Sequence, residues 1–167
     1  MIEAVQDKLV SLFQAHLQAE LDELASPSGG VALTLTSPVE YHTAFEKGFT
    51  IIKQYPACII LPGITDEDDL IDAGFMVDNI HDIAVAFLMQ HTTPESLMRM
   101  KSRFAYAARN VLKKRTDADG ATIDKSPITM IDDIHISYMD RNVRDEPDTP
   151  FLGSVWLLFK AYERETL

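Results

Sequence analysis

The sequence is short of cysteine, of long apolar runs and of basic residues. Its one cysteine, Cys58, cannot form a disulfide within the chain and lies in an apolar segment, so we expect a buried, unreactive thiol in a reducing compartment. No stretch approaches the roughly 20 consecutive apolar residues of a membrane-spanning helix. The first residues also lack the basic and apolar regions of a secretory signal. These absences predict a protein that is made in the cytosol and has no membrane partner.

The shortage of basic residues makes the chain strongly acidic. Its 167 residues include 15 lysines and arginines against 26 aspartates and glutamates, for a formal net charge of −11. Charge of this sign repels phosphate backbones, which argues against a general nucleic-acid-binding protein. The 46% of hydrophobic residues and 25% of charged residues are typical of a globular fold. The length suits a single α+β domain over residues 1–167.

The two signs of charge are separated along the sequence. Acidic residues concentrate between Asp66 and Asp72. Seven basic residues fall in one later stretch: Arg99, Lys101, Arg103, Arg109, Lys113, Lys114 and Arg115. The basic stretch is either the solvated side of a helix or one of two unlike surfaces through which identical copies meet head to tail.

Sequence patterns of catalytic and metal sites are missing. There is no Gly-x-Ser-x-Gly turn, no phosphate-binding loop and no dinucleotide fingerprint. The five histidines lack the spacing of a zinc site. The segment Asp117-Ala118-Asp119-Gly120 begins like a calcium loop, but its glycine comes at the fourth position instead of the sixth, which favours an Asp-Gly turn. We therefore predict no catalytic residue, no metal, no cofactor and no enzymatic activity.

One acidic run could still carry chemistry. Asp66, Glu67, Asp68 and Asp69 could hold a divalent ion, or two of them could share a proton. Consecutive carboxylates on a loop more often diverge into water, where they would act in subunit contact or in repelling DNA. His135 alternates with two isoleucines, so we expect it to face solvent or a partner.

Hydrophobic periodicity predicts the first half of the fold. Apolar residues recur by threes and fours from Ile2 to Leu24, which indicates a long amphipathic helix ended by the Ser26–Gly30 segment. Strands are predicted after it, and the acidic segment Thr65–Asp72 is predicted to be a surface loop. The predicted strands are Val31–Thr36, Phe49–Lys53, Ala57–Leu61 and Ile83–Met89, the last ending at His91.

The second half contains one more helix and two more strands. Thr93, Pro94 and Glu95 form a helix-start signature, and the helix is predicted to run from Pro94 to about Lys114. Its predicted buried residues are Leu97, Met98, Phe104, Ala105, Ala108, Val111 and Leu112. A polar loop, Asp117–Pro127, precedes two strand candidates, which are separated by a charged connector. These are Ile128–Tyr138, Phe151–Glu163 and the connector Asp140–Pro150.

The predicted fold class is α+β, with a mixed, mainly antiparallel sheet, a long N-terminal helix and a second helix packed on it. This whole arrangement resembles the tail terminator, or tail completion, proteins of tailed bacteriophages and related prophage particles. The elements that carry the likeness are the opening helix, the strands Tyr55–Pro62 and Ile83–Met89, the helix Thr93–Leu112 and the closing strand Gly153–Phe159.

The resemblance implies a ring of subunits, commonly six, in the neck of a virion that is assembled in the host cytoplasm. Such a ring sits on the last ring of the tail tube, stops its polymerisation and offers a docking face to the head. The implied partners are further copies of the chain, the tail tube protein and the head–tail connector proteins. DNA would pass through the ring without specific binding.

A closed ring needs two different contact patches on each subunit. The candidate interface residues are Asp66, Glu67, Asp68, Asp69, Phe75, Met76, Arg99, Arg103 and Arg109. The segment Phe75–Val77 could instead lead into the core strand that contains Ile83. Two other functions stay open: a head-side connector or stopper protein, and a small ligand-binding or regulatory module. The pocket of such a module would be lined by Phe87, Met98, Phe104 and Trp156.

Overall fold

A computed structural model describes residues 2–26, 28, 30–43, 52–68, 76–141 and 149–166. The described residues form two helices and five strands. In chain order these are α1 (Ile2–Ala25), β1 (Glu40–His42), β2 (Ala57–Asp68), β3 (Met76–His91), α2 (Pro94–Lys113), β4 (Ile128–Arg141) and β5 (Phe151–Thr166). The strands form one sheet in the order β1-β2-β3-β5-β4. β1 is parallel to β2 and every other pairing is antiparallel, which confirms the predicted α+β class.

Both helices pack on the same face of the sheet, which we call the helix face. The apolar stripe of α1 is buried there from Val5 to Leu21 and partly buried at its ends, Ile2 and Leu24, as its period of three to four residues predicts. Phe87 of β3 contacts a phenylalanine from each helix: its ring centre lies 5.3 Å from that of Phe13 and 5.7 Å from that of Phe104. Burying a side chain of this size contributes about 1.5–3 kcal/mol. These aromatic contacts place α1 and α2 over the central strands.

The start of α2 confirms the predicted helix signature. The Thr93 hydroxyl accepts a hydrogen bond from the Ser96 backbone N–H at 3.4 Å, and Pro94 is the first helical residue. The helix ends at Lys113, one residue before the predicted end. Met98, however, is 50% exposed, so the prediction that it is buried was wrong. Its neighbour Leu97 occupies the inward position of that turn, and one residue further turns the side chain by about 100°.

Residues 31–36 are not a strand, contrary to the prediction. Their backbone and that of the residues next to them bond to α1 instead of to another strand. Leu33 N–H donates to Ala25 O at 2.9 Å, while the Gln18 side chain donates to Leu35 O at 3.0 Å and accepts from Ser37 N–H at 2.7 Å. Leu35 is buried in the same core cluster as the α1 stripe and Leu33 packs against that cluster, whereas Val31 is exposed.

The acidic segment predicted as a loop is in part a strand. β2 continues to Asp68, and Thr65 to Asp68 pair with His81 to Asp78 of β3 after a shift in register that follows Pro62. β3 is long enough to supply backbone partners for these polar residues. The polarity of the segment alone did not predict that pairing. Residues 69–72 lie outside the described residues.

Two smaller predictions differ from the structure at their edges. Of the predicted strand 49–53, residues 49–51 lie outside the described residues and Ile52 and Lys53 are irregular, with Lys53 N–H donating to the Glu40 carboxylate at 3.2 Å. The predicted connector begins later, because Asp140 and Arg141 still belong to β4. Residues 142–148 lie outside the described residues.

Candidate interaction surfaces

The buried charged groups bond to one another within the fold. His81 Nε2 and Glu163 Oε2 lie 2.9 Å apart, and both side chains are almost fully buried between β3 and β5. Glu20 of α1 is also buried, and it accepts hydrogen bonds from Asn110 Nδ2 at 3.0 Å and from the Lys114 ammonium group, both near the end of α2. That hydrogen bond raises the pKa of Lys114. These groups therefore tie secondary structure elements together.

Lys101 is a basic residue of α2 whose side chain is fully buried. None of its surface is exposed, and its ammonium group bonds to Asp140 of β4 and lies 5.9 Å from the ring centre of Tyr138. Gly153 of β5 leaves room for this pair. A Cβ atom there would lie 2.8 Å from Asp140 Oδ1 and 3.2 Å from Lys101 Cδ. The cluster joins α2 to the two strands at the β4 edge of the sheet.

Cys58 is fully buried, as predicted, and burial raises the pKa of its thiol well above the ordinary value. His135 is exposed, also as predicted. Among the described residues, no group of three or more histidine, cysteine, aspartate or glutamate side chains is placed to hold a metal ion. No helix in the described part of the chain is long and apolar enough to cross a membrane.

The outer side of α2 exposes large apolar and basic side chains together. We call Met98, Arg99, Tyr106 and Arg109 the α2 stripe. Met98 is 50% exposed and Tyr106 is 55% exposed, and both arginines are exposed. Arg103 differs from them, because its guanidinium donates to Ala25 O at 3.1 Å and to Val31 O at 2.6 Å. Arg103 therefore fixes the end of α1 and the segment that follows it.

The face of the sheet opposite the helices, which we call the open face, is only partly covered. At one end, Ile59, Ala86 and Leu88 are buried beneath Tyr55 and the neighbouring Ile52. At the other end a hollow of about 410 Å³ is lined by Leu61, Ala84 and Leu158 and by the charged residues Asp82 and Lys160. Large apolar side chains on this face are exposed: Leu158 at 45%, Met130 at 48% and Met139 at 56%.

A second hollow lies where the C-terminal end of α2 meets the start of β4, and we call it the basic hollow. Its volume is about 550 Å³, and Lys113, Arg115 and Lys125 line it together with the hydroxyls of Thr122 and Thr129. Its apolar walls are formed by Leu112, Ile123, Ile128, Met130 and Ile131. No acidic residue is among the described residues that line it.

Lys125 is the most enclosed cation of the basic hollow. It is half-buried and its ammonium group donates to Leu112 O at the end of α2. Burial, and then the positive charge of Arg115, lower the pKa of Lys125. The sequence places Lys113 and Arg115 in the basic stretch near the end of α2, and Lys125 lies outside that stretch. No spacing rule connects Lys125 to them, because the loop between α2 and β4 brings it back to the helix end.

The predicted interface residues occupy two separate regions. Asp66, Glu67 and Asp68 belong to β2 and pair with β3, and Met76 begins β3 opposite Thr166 of β5. Asp69 and Phe75 lie outside the described residues. The three arginines lie on α2.

The pocket considered for a ligand-binding module does not form, because its four proposed residues lie in three places. Phe87 and Phe104 contact each other in the core, Met98 is on the surface, and Trp156 is on the open face.

Compared with known proteins, the chain matches no family model. No curated protein matches its sequence either. Among solved structures, it is similar to a chain of the "Virion of native gene transfer agent (GTA) particle", with 16% sequence identity and a TM-score of 0.37. The match covers 94% of this chain and 98% of the other chain.

Proposed function

We propose that the protein is a structural protein of a phage-like virion, and in particular the tail terminator that caps the tail tube and joins it to the head. The observation that carries the proposal is that two surfaces, the α2 stripe and the open face, expose several large apolar side chains. The observed order of helices and strands also agrees with the order on which the resemblance to tail terminators was based.

The composition of these surfaces supports a role in protein contact. Methionine, tyrosine and arginine are enriched in protein interfaces, and tyrosine and arginine are frequent among the residues that dominate binding energy. The α2 stripe combines all three types on one side of a helix. On the open face, Met130, Met139 and Leu158 expose apolar surface that the fold itself leaves uncovered. Both surfaces are suited to neighbours in an assembly.

The proposed assembly is a ring, commonly of six copies, whose contacts are heterologous. One contact region contains Asp66, Glu67, Asp68, Asp69, Phe75 and Met76. The other is the basic side of α2, with Arg99 and Arg109 exposed and Arg103 holding the end of α1 in place. The tail tube protein and the head–tail connector proteins are the proposed neighbours above and below the ring. The net charge of −11 would let DNA slide through without phosphate contacts.

The test is addition of the purified protein to tail tubes of the same virion. We expect the protein to bind tube ends and to stop their extension, measured by electron microscopy and by tube length. Met98→Ser combined with Tyr106→Ser should weaken this binding at least tenfold, about 1.4 kcal/mol, because it removes apolar anchors of the α2 stripe. Gln14→Ser with Ala15→Ser, on the exposed side of α1, is the matched control.

Three outcomes would contradict the proposal. The protein could bind heads and leave tube ends free, which would indicate the head-side connector or stopper. It could ignore virion components and be stabilised against heat by a small molecule, which would indicate the ligand-binding module. It could also bind tube ends equally well with and without the α2 stripe, which would remove that surface from the contact.

A further inference from the structure

The acidic end of β2 and the basic hollow lie at opposite edges of the sheet. The same sets of cross-strand residue pairs connect them. By the acidic end of β2 we mean Asp66, Glu67 and Asp68. Glu67 pairs with Asn79 of β3, Asn79 with Glu163 of β5, and Glu163 with Ile128, which lines the basic hollow. The next row joins Asp66 to Met130 of the hollow in the same way, through Ile80 and Tyr162.

The positive charge of the basic hollow is not balanced within the described chain. The two aspartates nearest in sequence are engaged elsewhere. Asp117 Oδ1 accepts from Asp119 N–H at 3.0 Å and from Ala121 N–H at 2.8 Å. Asp124 pairs with Lys8 of α1 at 2.9 Å. Three cations therefore share one hollow in a protein whose net charge is −11. Their mutual repulsion favours an anionic group that comes from outside the chain.

The acidic end of β2 cannot reach the basic hollow of its own chain. Three strand-to-strand intervals separate the two edges of the sheet, roughly 14 Å at about 4.8 Å each. The outer edge next to the acidic end is also open among the described residues, because β1 pairs only with Ala57 to Ile59 of β2. A head-to-tail ring requires two unlike patches on opposite sides of each subunit, at the same height along the ring axis.

We propose that the basic hollow binds the acidic end of β2 from a second copy of this chain, so that successive copies join edge to edge with their sheets at one level. The inference rests on the proposed ring and assigns the contact with the acidic end to Lys113, Arg115 and Lys125 of the hollow in place of Arg99 and Arg109. The hollow combines three cations with apolar walls, and this mixture suits an acidic segment of a protein better than a free anion. The overall negative charge of the chain disfavours a nucleic acid as the occupant.

The first experiment reverses the charge of each side separately. One variant carries Asp66→Lys and Asp68→Lys, and the other carries Lys113→Glu and Arg115→Glu. Lys125 is left in place because it bonds to Leu112 O. Each variant alone should self-associate at least tenfold more weakly than the original chain. A mixture of the two should recover association, because each then offers the charge that the other lacks. Sedimentation equilibrium over a series of concentrations at low salt measures this.

Two further variants change the same charges at other exposed positions. Asp22→Lys with Glu23→Lys, on α1, is the control for the acidic variant and should keep its self-association. Arg99→Glu with Arg109→Glu, on the same helix as Lys113, tests the other basic region assigned to the proposed ring. If the Arg99 and Arg109 variant loses association while the hollow variant keeps it, the inference is overturned and the proposed function stands.

A covalent trap detects the contact when association is weak. Asp68→Cys with Thr129→Cys places one thiol at each edge of the sheet, too far apart to join within a chain, since a disulfide needs Cα atoms within about 7 Å. Oxidation should therefore give a ladder of covalent oligomers. Cys58 is fully buried and can remain. Glu23→Cys with Thr129→Cys, which should give no ladder, is the control.

The outcomes separate the inference from the proposed function. A chain that caps tail tubes but gives no ladder, on tubes or in solution, overturns the inference alone. If a ladder forms and the mixed variants associate, but the protein binds no virion component, the inference is supported and the proposed function is contradicted. If the hollow variant loses affinity for a DNA oligonucleotide and keeps its self-association, the hollow binds phosphate and the inference is wrong.

Discussion

Lys101 shows how a charged residue is kept inside the helix face. Its side chain is fully buried, whereas that of Asp140, its partner, is 36% exposed. Removing one member of such a pair leaves the other uncompensated, and the cost depends on which member stays in the interior. An unpaired Lys101 would be a buried charge, but an unpaired Asp140 could still be hydrated.

This asymmetry gives a prediction for two variants. Asp140→Ala should lower the free energy of unfolding by about 2 kcal/mol, less than a fully buried pair would lose because Asp140 is partly hydrated. Lys101→Met keeps most of the apolar stem of Lys101 and should cost less than about 1 kcal/mol. Urea denaturation measures both. A larger loss for Lys101→Met than for Asp140→Ala would mean that the ion pair is not the main role of Lys101.

At the scale of elements, the ion pair of Lys8 and Asp124 joins α1 to the loop before β4. Asp124 Oδ2 lies 2.9 Å from Lys8 Nζ, and Asp124 Oδ1 accepts from Ser126 N–H at 2.9 Å. The hydrogen bond from Lys8 is the main reason that the pKa of Asp124 lies below its ordinary value of 3.8. A carboxylate with a lowered pKa in the folded state stabilises the fold above its ordinary pKa. That contribution is lost as the pH falls through the folded value.

Asp124→Asn should keep the contact with Ser126 and lose the one with Lys8. We therefore expect the variant to be less stable than the original chain at neutral pH. The two denaturation midpoints should converge as the pH falls below 3.8 and through the folded pKa of Asp124. Urea denaturation at a series of pH values measures the midpoints. A difference that persists unchanged at the lowest pH would show that the charge of Asp124 is not its cause.

The sequence predicted the elements whose signals are local. The α2 start depends on Thr93 and Pro94, which are adjacent, and the α1 stripe repeats along a single helix. Residues 31–36 were misassigned because their backbone partners come from α1, which periodicity within the segment cannot show. The strand at Thr65 to Asp68 was missed for a related reason, because it forms on β3.

The candidate surfaces were harder to predict from the sequence than the helices and strands. A run of acids and a run of bases could be read directly, but their placement at the two edges of one sheet could not. That placement depends on the pairing of β3 with β5, whose partners are up to 90 residues apart, as Met76 and Thr166 show. Lys125 joined the basic hollow only through the loop that returns to Leu112.

At the scale of the whole molecule, one face of the sheet is covered by the two helices and the open face is only partly covered. Two adjacent residues of β5 show the difference: Leu157 is fully buried against the helices, and Leu158 is 45% exposed on the open face. Alternation of this kind is expected for a strand. Substitutions at the two positions should therefore affect different properties.

Leu157→Ala should cost about 2–5 kcal/mol of unfolding free energy, because it leaves a cavity in the core. Leu158→Ala should cost less than about 1 kcal/mol and should weaken binding to virion components. Urea denaturation and the tail-tube binding assay measure the two effects. If Leu158→Ala binds as well as the original chain, the open face near Leu158 is not a contact surface.

The position of Trp156 gives the open face an optical probe of its own. It is the sole tryptophan of the sequence, it lies on that face, and its indole N–H donates to Ser154 Oγ at 2.9 Å. Covering the face would remove water from around the ring and shift its fluorescence towards the blue. The unmodified protein can therefore report, in real time and without a dye, when this side of the molecule is occupied.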